Sequence, residues 1–404
     1  MIIRMAWRNI WRNKMRSVAI ALSVAIGLFA GISVLALYKG MMKSRVRTVI
    51  DSETGHLQIH HPEFKKDYDP AYLLSDPQKW IGDIRSFNTI KAAAVRTVTQ
   101  AMLSTPTGST GVQVNGIIPE AENEVSLLKS KIHWGDGFTG RKKNEVLVGK
   151  KLADKMKLKP GSKLVLTCTD TASDLVSAAF RVTGIYQTEN SPLDERNVYV
   201  NRNDLNEMLN MDNSFHEIVV LLNNDEDLAL AKQQLQERFP SFLVESWKEI
   251  SPETELMVNT MDYYMYIIIG IIMLALAFGI INTMLMAILE RTREIGMMVA
   301  LGMSRFRLFL LVLLETVLLT ITGTPPGLIA AWLAANYYNK KGIDISSFAG
   351  DTMSSFGFSS MIYPEFPGAE LFIVLMIVIT TALVSCIFPA IRAGRLQPVE
   401  ALRK

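Results

Sequence analysis

The sequence predicts a membrane protein with four transmembrane α-helices and a large α+β extracytoplasmic domain inserted between helices 1 and 2. Three observations carry this. Apolar residues make up 49% of the 404, and four long runs of them carry few or no charges. Basic residues collect at alternate ends of those runs, and residues 38–263, between the first and second, mix strand-like and helix-like patterns over a length sufficient for a domain with its own core.

In order, residues 1–17 read as an amphipathic elbow helix: Ile3, Trp7, Ile10, Trp11 and Met15 form one stripe, while Arg4, Arg8, Arg12 and Arg16 repeat every four residues on another side. Tryptophan favours the headgroup region and arginine favours anionic lipid, so this helix is expected on the membrane surface. Residues 18–37 form the first membrane span, in which Gly27 and Gly31 make a GxxxG that lets another helix approach. No cleaved signal peptide is expected, because Gly40-Met41-Met42-Lys43 lacks a small-x-small site. The second span is 264–289 and contains Asn282, expected to make a structural hydrogen bond. A charged segment, 290–307, leads to the third span, 308–335, where Glu315 stands in apolar surroundings and Pro325 and Pro326 must interrupt or kink the helix. An intramembrane carboxylate is costly, so Glu315 either serves a function, or snorkels or pairs with a nearby arginine. A loop, 336–370, a fourth span, 371–391, and a tail, 392–404, complete the chain. The arginines and lysines of 1–17, 290–307 and 392–404 place those segments in the cytoplasm by the positive-inside rule.

Within the inserted domain, Glu145 to Val148, Lys163 to Thr169, Ala179 to Ile185 and Asn197 to Val200 read as strands. Lys150 to Met156 and Arg202 to Leu209 read as helices. His216 to Leu222, Glu226 to Arg238 and Leu243 to Trp247 give a βαβ-like unit, and Gly55 to His60 and Val112 to Ile118 two further strands. The rest of 51–130 has no clear period.

The junction between the second and third spans carries the functional signal. Glu290, Arg291, Arg293 and Glu294 follow the apolar run at once. Ile295, Met298, Val299 and Gly302 then recur at helical spacing, with Gly296 and Ala300 adding small residues. Such a stripe needs a surface to cover, either bilayer headgroups or the groove of a soluble partner.

Other chemistry is missing from the pattern. GxxxxGK[ST] has no match, since the nearest approach ends Gly140-Arg141, so ATP and magnesium are not expected to bind this chain. His56, His60 and His61 cluster, but His56 and His60 are four apart on a strand-like stretch and read as surface strand residues rather than metal ligands. No nucleophile has a recognisable elbow. Neither a catalytic centre nor nucleic-acid binding is expected. Cys168 and Cys386, in the inserted domain and the fourth span, are not expected to pair.

These residues carry a resemblance. Glu290 to Gly296, followed by Ala300, Leu301 and Gly302, resembles the coupling segment of the FtsX-like permeases, membrane subunits of type VII ABC systems. Ala6 to Arg12, Pro389 to Ala393 and Pro398 to Arg403 are similar to the family's entry and tail, and Glu145 to Ile185 to its MacB-like periplasmic core. Gly55 to His60 resembles the lipoprotein-releasing LolC/LolE branch more than the MacB branch.

The resemblance implies a non-enzymatic permease of the bacterial inner membrane that extracts lipoproteins, or a similar amphiphile, by mechanotransmission. Its partners would be a cytoplasmic ABC ATPase dimer that binds the ATP and magnesium, a second copy or paralogous permease, membrane lipids, and a periplasmic carrier. Glu290, Arg291 and Glu294 would supply docking charge, and Ile295, Met298 and Val299 a buried stripe. The proline-containing hook that docks the carrier in LolC-type members falls at Thr167 to Ala179 here, which is short and lacks proline. The same family includes exporters of peptides or toxins working with an adaptor and an outer-membrane duct, and transducers that activate a cell-wall hydrolase.

Overall fold

The computed structural model describes residues 2–12, 14–140, 142–368 and 370–394. The chain divides into two compact units. A membrane unit comprises Met1–Met42, Val258–Ile343 and Ile362–Lys404, and an α+β unit comprises Lys43–Met257 and Asp344–Met361. Residues 395–404, with the Pro398 to Arg403 motif, lie outside the described residues.

The membrane unit is built from an elbow helix, Ile2–Arg12, and four long helices, Lys14–Val49, Pro252–Glu290, Arg305–Lys341 and Glu370–Gly394. Each of the four is long and apolar enough to cross a membrane. At 1.5 Å per residue the first two are roughly 54 and 58 Å long, well beyond a ~30 Å hydrocarbon core. They therefore outrun the spans at 18–37 and 264–289, and their far ends, residues 43–49 and 252–257, belong to the α+β unit. Ile20, Val24, Leu28 and Ile32 of the first helix pack into one core with Met273, Leu276, Ile280 and Met284 of the second, Leu311 and Leu319 of the third and Val374 and Val378 of the fourth.

Two expectations about this unit are corrected, and a third is refined. Pro325 and Pro326 do not interrupt the third helix, which runs unbroken from Arg305 to Lys341. The carbonyls that the prolines leave without an amide are those of Ile321 and Thr322, and such losses are tolerated where neighbouring helices pack around the segment; the nearby hydroxyls of Thr320, Thr322 and Thr324 bond instead to the carbonyls of Thr316, Leu319 and Thr320 at 2.8–2.9 Å. The second helix does approach at Gly27 and Gly31, as expected, but a tighter approach lies elsewhere. A Cβ on Gly27 would stand 3.0 Å from the flexible Leu276 Cδ1, whereas one on Gly323 would lie 2.5 Å from the Ala21 carbonyl oxygen and one on Gly327 2.7 Å from that of Ala25. Gly323-x-x-x-Gly327 is thus the seam against the first helix. Finally, Asn282 is exposed and makes no hydrogen bond within the described chain; its neighbour Thr283 bonds the Gly279 carbonyl instead, at 2.6 Å. Asn282 shares the outward face with Phe278, Met286 and Leu289.

Among the described residues, the main sheet of the α+β unit has ten strands: β1 (Leu57–His60), β2 (Ile90–Thr105), β3 (Gly108–Ile117), β4 (Ile132–Gly135), β5 (Glu145–Gly149), β6 (Lys163–Thr169), β7 (Leu175–Tyr186), β8 (Asn197–Asn201), β9 (Glu217–Leu222) and β10 (Leu243–Ser246). The organising element is β2. Its first half, through Arg96, pairs with β9 in a sheet ordered β10-β1-β9-β2, while its second half, from Thr97, pairs with both β3 and β6. Because β3-β8-β5-β7-β6 leads back to β2, these six strands close on themselves, which removes their edges. Leu103, Val114, Val146, Leu166, Phe180 and Val200 fill the interior.

In the four-stranded sheet, β9, the helix Leu228–Arg238 and β10 form the βαβ-like unit expected from the sequence, with β1 inserted between the two strands and antiparallel to both. Ile59, Val95 and Ile218 meet Leu235 on one face, and Ala92, Ala94 and Val219 meet Trp247 on the other. Both faces of β2 are therefore covered, so Ala92-Ala93-Ala94 shows no alternation.

Thr167 to Ala179 is a plain hairpin, paired from Lys163↔Arg181 to Thr169↔Leu175 and closed by Asp170, which accepts from the amides of Ala172 and Asp174 at 2.9 Å. The histidine cluster needs a further correction: His56 and His60 are buried rather than on the surface. His56 Nδ1 accepts from the Leu222 amide at 3.2 Å, which places its proton on Nε2, 2.9 Å from Asp225. Among the described residues no group of three or more His, Cys, Asp or Glu side chains is placed to hold a metal ion, and both cysteines are free and buried.

One buried carboxyl gives this unit a pH signature. Burial pushes the Asp194 carboxyl up to about 7, against hydrogen bonds from the Thr188 amide and hydroxyl at 2.9 and 2.7 Å that favour its ionised form. A raised folded pKa contributes stability that is present below the ordinary carboxyl value and lost as pH rises through about 7. Burial acts oppositely on His216, held down at about 4, whose contribution is lost as pH falls. The wild type should therefore lose stability relative to Asp194→Asn between pH 5 and pH 7, measured as thermal midpoints. A difference constant across that range contradicts the assignment.

Candidate functional site: the segment between the second and third membrane helices

Past Glu290 the chain turns at Arg291 and forms the short helix Thr292–Ala300. The helix stops where its last amides fold back, Leu301 N to Met297 O at 2.9 Å and Met303 N to Met298 O at 3.0 Å, with Gly302 at φ +91°, a conformation side chains rarely adopt. Ser304 then caps the third membrane helix by accepting from the Arg307 amide.

A chain of charges fixes this helix to its neighbours within the membrane unit. Arg12, at the end of the elbow helix, donates to Glu294. Arg291 reaches Glu294 through Nε at 3.3 Å and Glu315 through Nη1 at 2.8 Å. The side chains of Arg291 and Glu315 are only 12% and 13% exposed. Burial alone would raise the Glu294 carboxyl, but hydrogen bonds from Arg12 and Arg291 outweigh it and hold it below the ordinary carboxylate range. Glu315 is thus the buried counter-charge of Arg291, at the edge of a small cavity of about 30 Å³ that Asn9, Ile295 and Met298 also line.

The apolar stripe faces inward. Ile295 and Gly296 are buried, and Ile295, with Met298 and Val299 against it, packs into the chain's own core beside Leu308 and Ile288. The outward surface is made by different residues. Arg293, Met297 and Ala300 are exposed on the helix, and beyond it Leu301 is 88% and Phe306 73% exposed. Glu290 lies on the exposed side of the junction.

The residues singled out in the sequence therefore fall into two sets. Arg291, Glu294, Ile295, Gly296, Met298, Val299 and Glu315 are joined in one packed and ion-paired joint, whereas Ala300, Gly302 and Glu290 stand on its surface. Sequence reasoning missed Arg12 as part of the joint, because its four-residue repeat with Arg4 and Arg8 reads as lipid contact. It also missed Leu301 and Phe306, which lie off the stripe. The signal for Leu301 was its size beside Gly302, outside the periodic stripe, whereas Phe306 lies in the first turn of the third membrane helix and gave no separate signal.

Residues 266–398 match the family described as FtsX-like permease C-terminal, and residues 17–238 that described as MacB-like periplasmic core domain. The lipoprotein-releasing system transmembrane protein LolC of Xylella fastidiosa is 22% identical over 303 residues, 72% of either chain. The macrolide export ATP-binding/permease protein MacB of Chlorobium luteolum is 32% identical over 44% of this chain and 24% of its own. The ABC transporter permease YknZ of Bacillus subtilis is 33% identical over 40% of this chain and 36% of its own. Among solved structures, the periplasmic region of MacB from Actinobacillus actinomycetemcomitans aligns with TM-score 0.35 and 13% identity over 53% of this chain and 97% of that one.

Proposed function

Because the chain belongs to the FtsX-like ABC transporter permeases that carry a MacB-like periplasmic core domain, we propose that it couples ATP hydrolysis by a separate cytoplasmic ATPase to release of lipoproteins from the inner membrane. The observation that carries the coupling half is the joint around Arg291. A short helix is tied by a surface ion pair to the elbow helix and, through the buried Arg291–Glu315 pair, to the third membrane helix, so a push on its outer face is passed to both rather than absorbed by a loose loop. Met297, Leu301 and Phe306 then form the apolar contact for the ATPase, with Glu290 and Arg293 as charges beside it. In this reading both termini and residues 290–307 are cytoplasmic, and ATP and magnesium stay with the partner.

The outward face of the second membrane helix supports a paired assembly. Asn282 amid Phe278 and Met286 is a polar group at bilayer depth without an internal partner, which a second permease copy or a paralogue would satisfy. The lipoprotein half rests on the similarity to LolC over 72% of either chain. The plain hairpin at Thr167 to Ala179 favours hand-over of the substrate without a hook-docked carrier.

A docking test follows. Leu301→Asp with Phe306→Asp should reduce the ATPase recovered with the tagged chain at least ~10-fold, because two buried apolar anchors are lost, while thermal stability stays near wild type since both side chains are exposed. Undiminished recovery would move the contact elsewhere. For the substrate, depletion of the chain should leave acylated lipoproteins in the inner membrane. Normal release together with recovery of an adaptor protein would instead favour the exporter reading that the MacB similarity suggests.

A further inference from the structure

A polar cavity of about 180 Å³ lies within the α+β unit where β2 passes from the four-stranded sheet into the closed one, lined among others by Gln58, Arg96, Gln113, Asn115, Tyr199 and Glu217. Its wall is charged because of strand register: Glu217 and Arg96 are cross-strand neighbours on β9 and β2, so they share one face of the sheet.

The cations of this wall are already engaged. Arg96 is bidentate to Glu122, at 3.0 and 2.6 Å, and its remaining Nη1 donates to the Glu53 carbonyl at 2.7 Å. Lys65 donates to Gln58 Oε1 at 2.8 Å and stands 3.4 Å from Glu245. Glu217 is left over. It is 4% exposed and accepts no hydrogen bond from the described chain; Arg96 Nη1, which keeps a second N–H beside the one given to Glu53, stands 3.7 Å away as an ion-pair partner outside hydrogen-bond distance. The Glu217 oxygens therefore keep acceptor capacity toward the cavity. Gln58, equally buried, uses its oxygen on Lys65 and leaves its amide nitrogen without a partner. Gln113 donates to Asn115, which donates to Asn197, so this amide row leaves the Gln113 oxygen as a free acceptor.

The wall thus offers a carboxylate and an amide oxygen that lack donors, beside an amide N–H that lacks an acceptor. We propose that the cavity is a binding site for a small primary amine carrying a hydroxyl. The ammonium is held by Glu217 and Gln113, and the hydroxyl oxygen accepts from Gln58. The volume is about six water volumes, which suits a molecule of roughly six non-hydrogen atoms. This site does not depend on the coupling reading above, since no residue of the segment 290–307 takes part.

The probe is serinol, 2-amino-1,3-propanediol, with glycerol as its uncharged isostere, titrated calorimetrically into the full chain in detergent. Serinol should bind saturably at one site per chain and glycerol at least ~10-fold more weakly, because only the ammonium makes the charge-assisted bond. Glu217→Gln should abolish that preference with the fold kept, checked by circular dichroism. Absence of serinol binding, equal binding of glycerol, or an undiminished preference in a folded Glu217→Gln overturns the proposal. Should that variant not fold, the serinol–glycerol comparison on the wild type decides alone.

Discussion

Arg291→Ala is expected to destabilise the membrane unit by about 3–5 kcal/mol, the cost of breaking a buried ion pair by removing one of its members. Glu315, 13% exposed at its side chain, would keep its charge in an apolar helix and lose the donor 2.8 Å away. Glu294 would lose one of its two arginines, loosening the short helix from the second membrane helix. The matched apolar pair Arg291→Met with Glu315→Leu should recover most of this, because it removes both desolvation costs along with the attraction. The fourth membrane helix supplies a reporter: Cys386 is buried and free, so in a Cys168→Ala background a thiol-reactive dye reads unfolding of the membrane unit alone. Additive losses in the double variant would show that Arg291 and Glu315 are not coupled.

Gly323→Ala should lose up to about 3 kcal/mol, at the upper end of overpacking costs, although alanine normally gains roughly 0.5–1 kcal/mol over glycine inside a helix. The added Cβ would lie 2.5 Å from the Ala21 carbonyl oxygen and 3.0 Å from its Cα, and backbone atoms give way only if the two helices separate. Gly279, whose Cβ would meet nothing within 4 Å, is the matched control, and Gly279→Ala should be neutral or stabilising. Gly27→Ala falls between, because the Leu276 side chain it touches can rotate. The same dye-based melt checks all three. Equal effects at positions 323 and 279 would remove Gly323-x-x-x-Gly327 as the seam.

What was legible in the sequence depended on whether a residue's neighbours lie along the chain or across it. The four apolar runs and the strands of the closed sheet announce themselves through composition and alternation, so the fold class follows from them. β2 does not, because Ala92, Ala93 and Ala94 are all buried, some on each face, which erases the period of two. His56 and His60 were misread for the same reason: β1 lies between two strands with both faces covered, so its polar residues are buried partners rather than surface. Around the coupling segment the stripe of Ile295, Met298 and Val299 was visible, but its direction was not. Periodicity shows that one side of a helix is apolar without showing whether the chain itself covers that side. Here it does, and the surface left for a partner consists of the aperiodic Leu301 and Phe306. Arg12 lies 282 positions from Glu294, a distance at which no local pattern operates.

The most direct measurement is affinity purification of the tagged chain from its native membrane in mild detergent, with mass spectrometry of everything recovered. The account predicts a soluble ABC ATPase in stoichiometric amount, a second permease subunit of the same or a paralogous sequence, and acylated lipoproteins. Recovery of the chain with no ATPase at all would contradict it, since the charged joint around Arg291 would then transmit nothing.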